Sequence, residues 1–312
     1  MLSIRNLTVE YVSAKERFYI LKNLSFKLTK GEILGIAGES GSGKTILCKT
    51  ILGLINKPIM LTDGKILYEN SAVVSSKDFK NIRGRKISII LQNPTTSLNP
   101  TVKIGRQLIE AITLKDHKMN KKDAREKALE LLQSVEIDNP VERMENYPFN
   151  LSGGMNQRIN IALALATNPK ILLADEPTTA LDVSIQAEIL KLLKKLQSKN
   201  ELSILFISHD ISLLAKIAHK IIIVYAGELM EVLTPPFKLK NIKHPYTYSL
   251  FRCIPTLEND IEILETIPGT IEKNDLSKNN CCIFHSRCFR KTDRCLFEKP
   301  PFENNLRCFN PL

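Results

Sequence analysis

The 312-residue chain has no tryptophan, no internal repeat, no low-complexity tract and no long apolar run. Its longest apolar stretches, such as Ile221 to Ala226 and Ile161 to Ala166, are six residues long. Crossing a bilayer needs roughly 18 to 20, so a membrane-spanning helix is excluded. The first ten residues, in which Arg5 and Glu10 interrupt short apolar pairs, lack the apolar core of a secretory signal. The expectation is an intracellular protein with reduced thiols. With 43% hydrophobic and 25% charged residues, whole-chain disorder and a disulfide scaffold are excluded as well. The length suffices for one large domain, or a domain with an appendage.

Positive charge is present in excess. Lys and Arg number 44 against 33 Asp and Glu, a net charge of +11, and residues 1–100 alone carry 15 basic and 7 acidic side chains. Charge of this kind admits nucleic acid or an anionic membrane surface as a partner.

Periodicity gives the organisation. Leu24 to Leu28 alternates like a strand, and Ile33 to Ala37 is an apolar run that meets a glycine-rich loop and then a helical stretch, Ile46 to Leu54. Ile87 to Leu91 reads as a buried strand. From Val102 to Val135 apolar residues recur at three- and four-residue spacing among many charges, which predicts a helical insertion. Strand signals return at Ile171 to Ala174, Ser203 to Ile207 and Ile221 to Val224, with helices between, the alternation of a parallel sheet covered by helices. After Pro235-Pro236 the periodicity fades, and five of the seven cysteines fall in the last 32 residues.

The loop Gly38-Glu39-Ser40-Gly41-Ser42-Gly43-Lys44-Thr45 fits G-x-x-x-x-G-K-[ST]. Its glycines let backbone N–H groups curl around phosphate oxygens at a helix N-terminus, Lys44 reaches the β- and γ-phosphates, and the Thr45 hydroxyl suits Mg²⁺. A partner carboxylate is available where Ile171-Leu172-Leu173-Ala174-Asp175-Glu176 ends: Asp175 for the Mg²⁺ shell, Glu176 to orient or deprotonate a water. Leu151-Ser152-Gly153-Gly154-Met155-Asn156-Gln157-Arg158 opens an Ala/Leu-rich helix; Ser152 caps it, and the two glycines make a second anion site at a helix N-terminus.

In this order the motifs resemble the nucleotide-binding subunit of ATP-binding cassette (ABC) transporters over about residues 1–234. The resemblance adds Gln92 as the Q-loop glutamine, Thr179-Ala180-Leu181-Asp182 as the D-loop with Asp182, and His209 in Ser208-His209-Asp210 as the switch histidine. It implies an α/β P-loop NTPase fold with a helical subdomain at about 93–168, followed by a small cysteine-containing C-terminal region at 235–312. It also implies an active ATPase using ATP and Mg²⁺: Glu176 as base, His209 holding the γ-phosphate and water, Gln92 sensing γ-phosphate and sharing Mg²⁺ with Thr45 and Asp175. In the family two cassettes stand head to tail, so Ser152, Gly153 and Gly154 would touch ATP held by a partner, with Gln157 completing the signature. Tyr11 stands where the family stacks an aromatic on adenine, followed by an insertion-like stretch Ser13 to Phe18; Tyr19 is the substitute, and a core role is open to either. Asn156 departs from the basic residue found more often in the family.

The remaining motifs resemble oligopeptide/dipeptide importer ATPases: Asn93-Pro94-Thr95-Thr96-Ser97-Leu98-Asn99-Pro100, His244-Pro245-Tyr246-Thr247, Ile267-Pro268-Gly269 and Phe284-His285-Ser286-Arg287-Cys288, with Ser286 where a proline is usual. Cys282, Cys288, Cys295 and Cys308 could hold a [4Fe–4S] cluster or zinc, or stay unligated. Cys48, Cys253 and Cys281 are expected to be packing or spare residues. The resemblance implies a peripheral subunit on the cytoplasmic face of the inner membrane. Its partners would be a second homologous ATPase (hetero- or homodimer), two permeases and an external binding protein. Nickel or metal-chelate import is the near alternative. An exporter ATPase, or a soluble ABC protein of translation or DNA repair, is the more distant one. Nucleic acid is then not needed to explain the charge; Lys77, Lys80, Arg83, Arg85 and Lys86 become a solvated face, and a basic surface suits an anionic leaflet.

Overall fold

Alternating side chains and left-handed turns build the opening of the chain. In the computed structural model, which describes residues 1–93, 97–115, 118–179, 181–253, 266–271 and 280–312, strand β1 (Leu2–Val12) pairs antiparallel with β2 (Arg17–Leu28). The stretch Ser13 to Phe18 carries the turn of this hairpin: Ser13 and Glu16 close it, and Phe18 lies in β2 opposite Tyr11. Sequence periodicity shows only the last third of this hairpin, because register shifts between Ile4, Leu7 and Val9, with Asn6 at φ +50, break the two-residue alternation of β1. The fully buried β3 (Ile33–Ala37) runs into the glycine loop, and α1 (Lys44–Ile51) follows. Strands β4 (Ile59–Tyr68) and β5 (Ser71–Val73) complete a four-stranded sheet of order β2-β1-β4-β5.

The next segment begins with α2 (Ser76–Ile82), whose start is fixed by a Ser75–Asp78 capping box. Strand β6 (Ile87–Ile90) pairs parallel with β7 (Ile171–Asp175). Between them lie α3 (Ile104–Thr113), α4 (Lys121–Ser134), α5 (Pro140–Glu145) and α6 (Gly153–Leu165), with Leu108, Ile112, Ala124, Ala128, Leu132 and Met144 forming a buried apolar stripe. After β7 come α7 (Val183–Asn200) and β8 (Ser203–Ser208).

The last part contains α8 (Ile211–Ile217), β9 (Lys220–Tyr225) parallel to β3, and β10 (Glu228–Leu233) antiparallel to β9. β10 escapes the sequence pattern because its carboxylates are inside: Glu228 is buried and meets Lys299, while Glu231 accepts the Lys243 and His244 N–H groups. Helices α9 (Pro245–Arg252) and α10 (Arg294–Phe297) follow, and the final residues return along β10, with Arg307 N–H donating to Met230 and Val232 N–H to Asn305.

The chain divides into two compact units, one of Met1–Thr29, Ile33–Val74 and Phe206–Leu312, the other of Lys30–Glu32 and Ser75–Leu205. Among the described residues no helix is long and apolar enough to cross a membrane.

Candidate nucleotide site

In the first unit the phosphate loop is shaped by what lies under it. A Cβ at Gly38 would sit 2.1 Å from the Val224 carbonyl oxygen, so only glycine fits. Gly43 takes φ +92, with Ile20 oxygen 2.7 Å from the place its Cβ would occupy. The buried Lys44 ammonium donates to the Gly38 and Glu39 carbonyls, both at 2.8 Å, and to Ser42 Oγ at 3.3 Å. Helix α1 begins with Lys44 and Thr45, has no side-chain cap and carries no acidic residue in its first turn. Its dipole therefore favours an anion at this end, with no carboxylate in its own first turn to compete. Ser40 and Gly41 lie at the exposed crest of the loop.

His209 is exposed at the end of β8, and Asp210 fixes its backbone by accepting the Ser212 and Leu213 N–H groups that open α8. Tyr11 is half-buried and stacked on Phe18, ring centroids 4.9 Å apart and nearly parallel; Tyr19 instead holds the Lys22 ammonium 4.8 Å from its ring.

In the second unit Asp175 is buried at the end of β7 and Glu176 follows at φ +48. That left-handed conformation is strained for a glutamate, and such strain gathers at sites of function. Glu176 Oε2 accepts from Gln92 Nε2 and from Thr179 Oγ1, each at 3.0 Å. The structure thus joins the Q-loop and the acidic strand end, and it adds the Thr179 contact, whose only trace in the sequence is a hydroxyl three residues after the carboxylate. Asp182 is exposed and starts α7. Ala180 of the D-loop, and Pro94, Thr95 and Thr96 of the turn after Gln92, lie outside the described residues.

Ser152 Oγ accepts the Met155 N–H and caps α6, as its position predicts, and Gly153 and Gly154 form the first turn. A Cβ on Gly154 would meet Ile185 at 2.9 Å. Gln157 is wholly buried and donates to the Pro177 carbonyl at 2.6 Å, so it anchors the signature helix to the segment after Glu176 and is not itself presented at the surface. Asn156, 4% exposed, donates to Pro148 and Leu151 carbonyls. Its position is interior, and the departure from a basic residue is a matter of packing.

The cysteines of the tail form no disulfide. Burial pushes the Cys282 thiol up to about 12, and the neighbouring Cys295, Cys288 and Cys308 add to the shift; Cys288 is raised by burial and then by Cys295, and Cys308 by burial and then by Cys288 and Cys295. Four sulfur donors are therefore within electrostatic reach of one another. Among the described residues no three His, Cys, Asp or Glu side chains converge tightly enough to hold a metal ion. Cys48 is buried on α1, while Cys253 and Cys281 are half-buried.

The family profile described as ABC transporter matches residues 21–179, and that described as oligopeptide/dipeptide transporter, C-terminal region, matches 233–295. The dipeptide transport ATP-binding protein DppD of Escherichia coli (strain K12) is 40% identical over 319 positions, covering 100% of this chain and 97% of its own. The oligopeptide transport ATP-binding protein OppD of Bacillus subtilis (strain 168) is 44% identical over 274, covering 86% and 76%. A bacterial ABC transporter cassette solved as a dimer superposes with TM-score 0.67 at 32% identity, covering 75% of this chain and 98% of its own, and its post-hydrolysis state with ADP and phosphate does the same. The chain therefore belongs to the ABC transporter family, as an ATP-binding cassette carrying the C-terminal region of the oligopeptide/dipeptide transporter type.

Proposed function

We propose that this cassette hydrolyses MgATP to drive uptake of dipeptides or oligopeptides through two membrane permeases fed by an external binding protein, working at the cytoplasmic face of the membrane. The observation that carries the hydrolytic part is the Gln92–Glu176–Thr179 group, which holds one carboxylate oxygen at the end of β7. In this reading Gly38–Thr45 take the phosphates and Thr45, Asp175 and Gln92 take Mg²⁺. Glu176 takes a proton from the water, whose oxygen attacks the γ-phosphorus in line while the bond from that phosphorus to the β–γ bridging oxygen breaks, giving ADP and phosphate. His209 steadies the γ-phosphate, and Tyr11, backed by Phe18, stacks on adenine. When bound by Thr45, Asp175 and Gln92, Mg²⁺ would neutralise charge that develops on the phosphate oxygens.

Ser152, Gly153 and Gly154 present a helix N-terminus to ATP held by the partner cassette, a second homologous ATPase subunit. The peptide cargo rests on the tail type and on the names of the relatives. The test is uptake of a labelled dipeptide into proteoliposomes carrying the complete assembly. Uptake that requires ATP and stops in the Glu176→Gln variant supports the reading; uptake of nickel chelates but not peptides overturns the cargo.

The tail reading is that Cys282, Cys288, Cys295 and Cys308 hold a [4Fe–4S] cluster as thiolates. The four-thiol donor set is of the kind such a cluster takes, and holding it would require the thiols to draw together, since among the described residues they do not converge tightly enough to hold a metal ion. Iron analysis with a visible spectrum of anaerobically purified chain decides this: no iron and no charge-transfer absorbance would leave zinc or free thiols.

A further inference from the structure

Two tail motifs with no part in the nucleotide chemistry meet at one residue of the phosphate loop, and a third holds one of them in place. The Glu39 N–H donates to Tyr246 Oη at 3.0 Å, its carbonyl accepts from Lys44 Nζ at 2.8 Å, and its carboxylate Oε2 accepts from Arg287 Nη1 at 2.8 Å. Arg287 is itself held in place. Its Nε donates to the Pro268 carbonyl at 2.6 Å, Nη2 to Ile267 at 3.3 Å, Nη1 also to Tyr225 Oη at 3.3 Å, and the guanidinium lies 5.6 Å from the Tyr225 ring centre. Tyr246 is fully buried, with Tyr225 and Phe284 packed against it at 4.8 and 5.1 Å between ring centres. His-Pro-Tyr-Thr thus contributes Tyr246, Ile-Pro-Gly contributes two carbonyls, and Phe-His-Ser-Arg-Cys contributes Phe284 and Arg287.

The Glu39–Arg287 pair differs from an ordinary surface ion pair. The Arg287 side chain is 6% exposed and that of Glu39 24%, so water and salt screen the pair little. Glu39 also bonds directly to Lys44, the lysine that must reach the phosphates. A shift of Glu39 would alter one of the three hydrogen bonds that hold that ammonium.

We infer that the C-terminal region straps the phosphate loop, with Arg287 and Tyr246 as positioning residues that preset its affinity for nucleotide through Glu39. The strap shapes the loop before ATP arrives, so the ordering need not be supplied by the ligand. This rests on reading Gly38–Thr45 as the nucleotide phosphate loop.

The test is equilibrium binding of MgATP to the full-length chain, with thermal melting alongside. Arg287→Ala is expected to weaken binding about fivefold or more, as loss of a shielded charge-assisted hydrogen bond would, and Arg287→Lys to recover part of that. Tyr246→Phe, which removes one oxygen from a ring that stays packed, is expected to weaken it by a smaller factor. The Glu39→Gln, Arg287→Ala double variant should bind no worse than the weaker single, because both act through one contact. Variants that melt lower yet bind MgATP as the parent does would overturn the strap and leave a mere anchor for the tail. If Arg287→Ala does not fold, Tyr246→Phe decides by the same criterion. Lys44→Ala separates the two levels: if it binds like the parent, the loop reading itself fails and the strap with it; if it loses binding while Arg287→Ala and Tyr246→Phe do not, only the strap fails.

Discussion

Glu176 combines a left-handed backbone with two hydrogen bonds to one carboxylate oxygen. A glutamine there keeps shape and hydrogen bonding and removes the base. Glu176→Gln is expected to lower ATP turnover in the assembled transporter by about 10²-fold or more while MgATP still binds; turnover like the parent's would remove Glu176 as the base. His244 gives a different residue-scale expectation. Burial lowers it from its ordinary 6.5 to about 4, with the Arg307 charge adding, while its Nδ1 accepts the Tyr246 N–H. The unfolded chain takes up this proton first, so the stability that a neutral His244 contributes is present above about pH 6.5. It is lost as pH falls toward about 4, at up to about 1.4 kcal/mol per pH unit. Glu231 is raised by burial and works in the opposite sense, so the comparison is with a variant. Denaturant melts of His244→Asn between pH 7 and 5 should show a shallower loss than the parent's.

At the scale of elements, the phosphate loop and the signature helix are each fixed by a contact that their own residues do not reveal. Gly38 lies against Val224 oxygen, whereas nothing lies within 4 Å of a Cβ on Gly41, whose φ of +82 is the only obstacle. Gly38→Ala should therefore cost more than Gly41→Ala: about 3 kcal/mol or more, because a Cβ 2.1 Å from a backbone oxygen forces the loop to move, against about 1–2 kcal/mol for a left-handed alanine. Thermal melts compare the two. Asn156→Ala should destabilise by about 0.5–1.5 kcal/mol, since it removes one of the two donors to the Pro148 carbonyl and leaves the Leu151 N–H as the other. A melting point unchanged from the parent's would make Asn156 irrelevant to the loop before α6. The elements themselves were read unevenly. Ile33–Ala37 and Ile171–Asp175 are short, nearly unbroken apolar runs buried on both faces, and the helical insertion carries a repeated three- and four-residue spacing, while β1, β4 and β10 are interrupted by bulges, glycine or buried carboxylates.

For the whole molecule, Lys77, Lys80, Arg85 and Lys86 are exposed and Arg83 half-exposed, as a solvated face should be. Binding of the full chain to vesicles rich in anionic lipid is expected to be weak and to fall with salt. The screening length shrinks from about 10 Å at 0.1 M to about 3 Å at 1 M. Cosedimentation that ignores salt would speak against this surface.

The sequence by itself determined the phosphate loop, the acidic strand end and the signature turn. Each such device needs only a strand end, a few glycines and a helix start, all within about eight contiguous residues. Family membership followed from their order. Tertiary structure alone decided that Gln157 is an anchor, that Asn156 is interior, that Thr179 shares the Glu176 carboxylate, and that two tail motifs meet at Glu39 while a third holds Arg287. The last involves partners 207 and 248 positions apart. Such contacts carry no period and no fixed spacing, since they depend on where buried rings and carbonyls bring a guanidinium after the chain has folded.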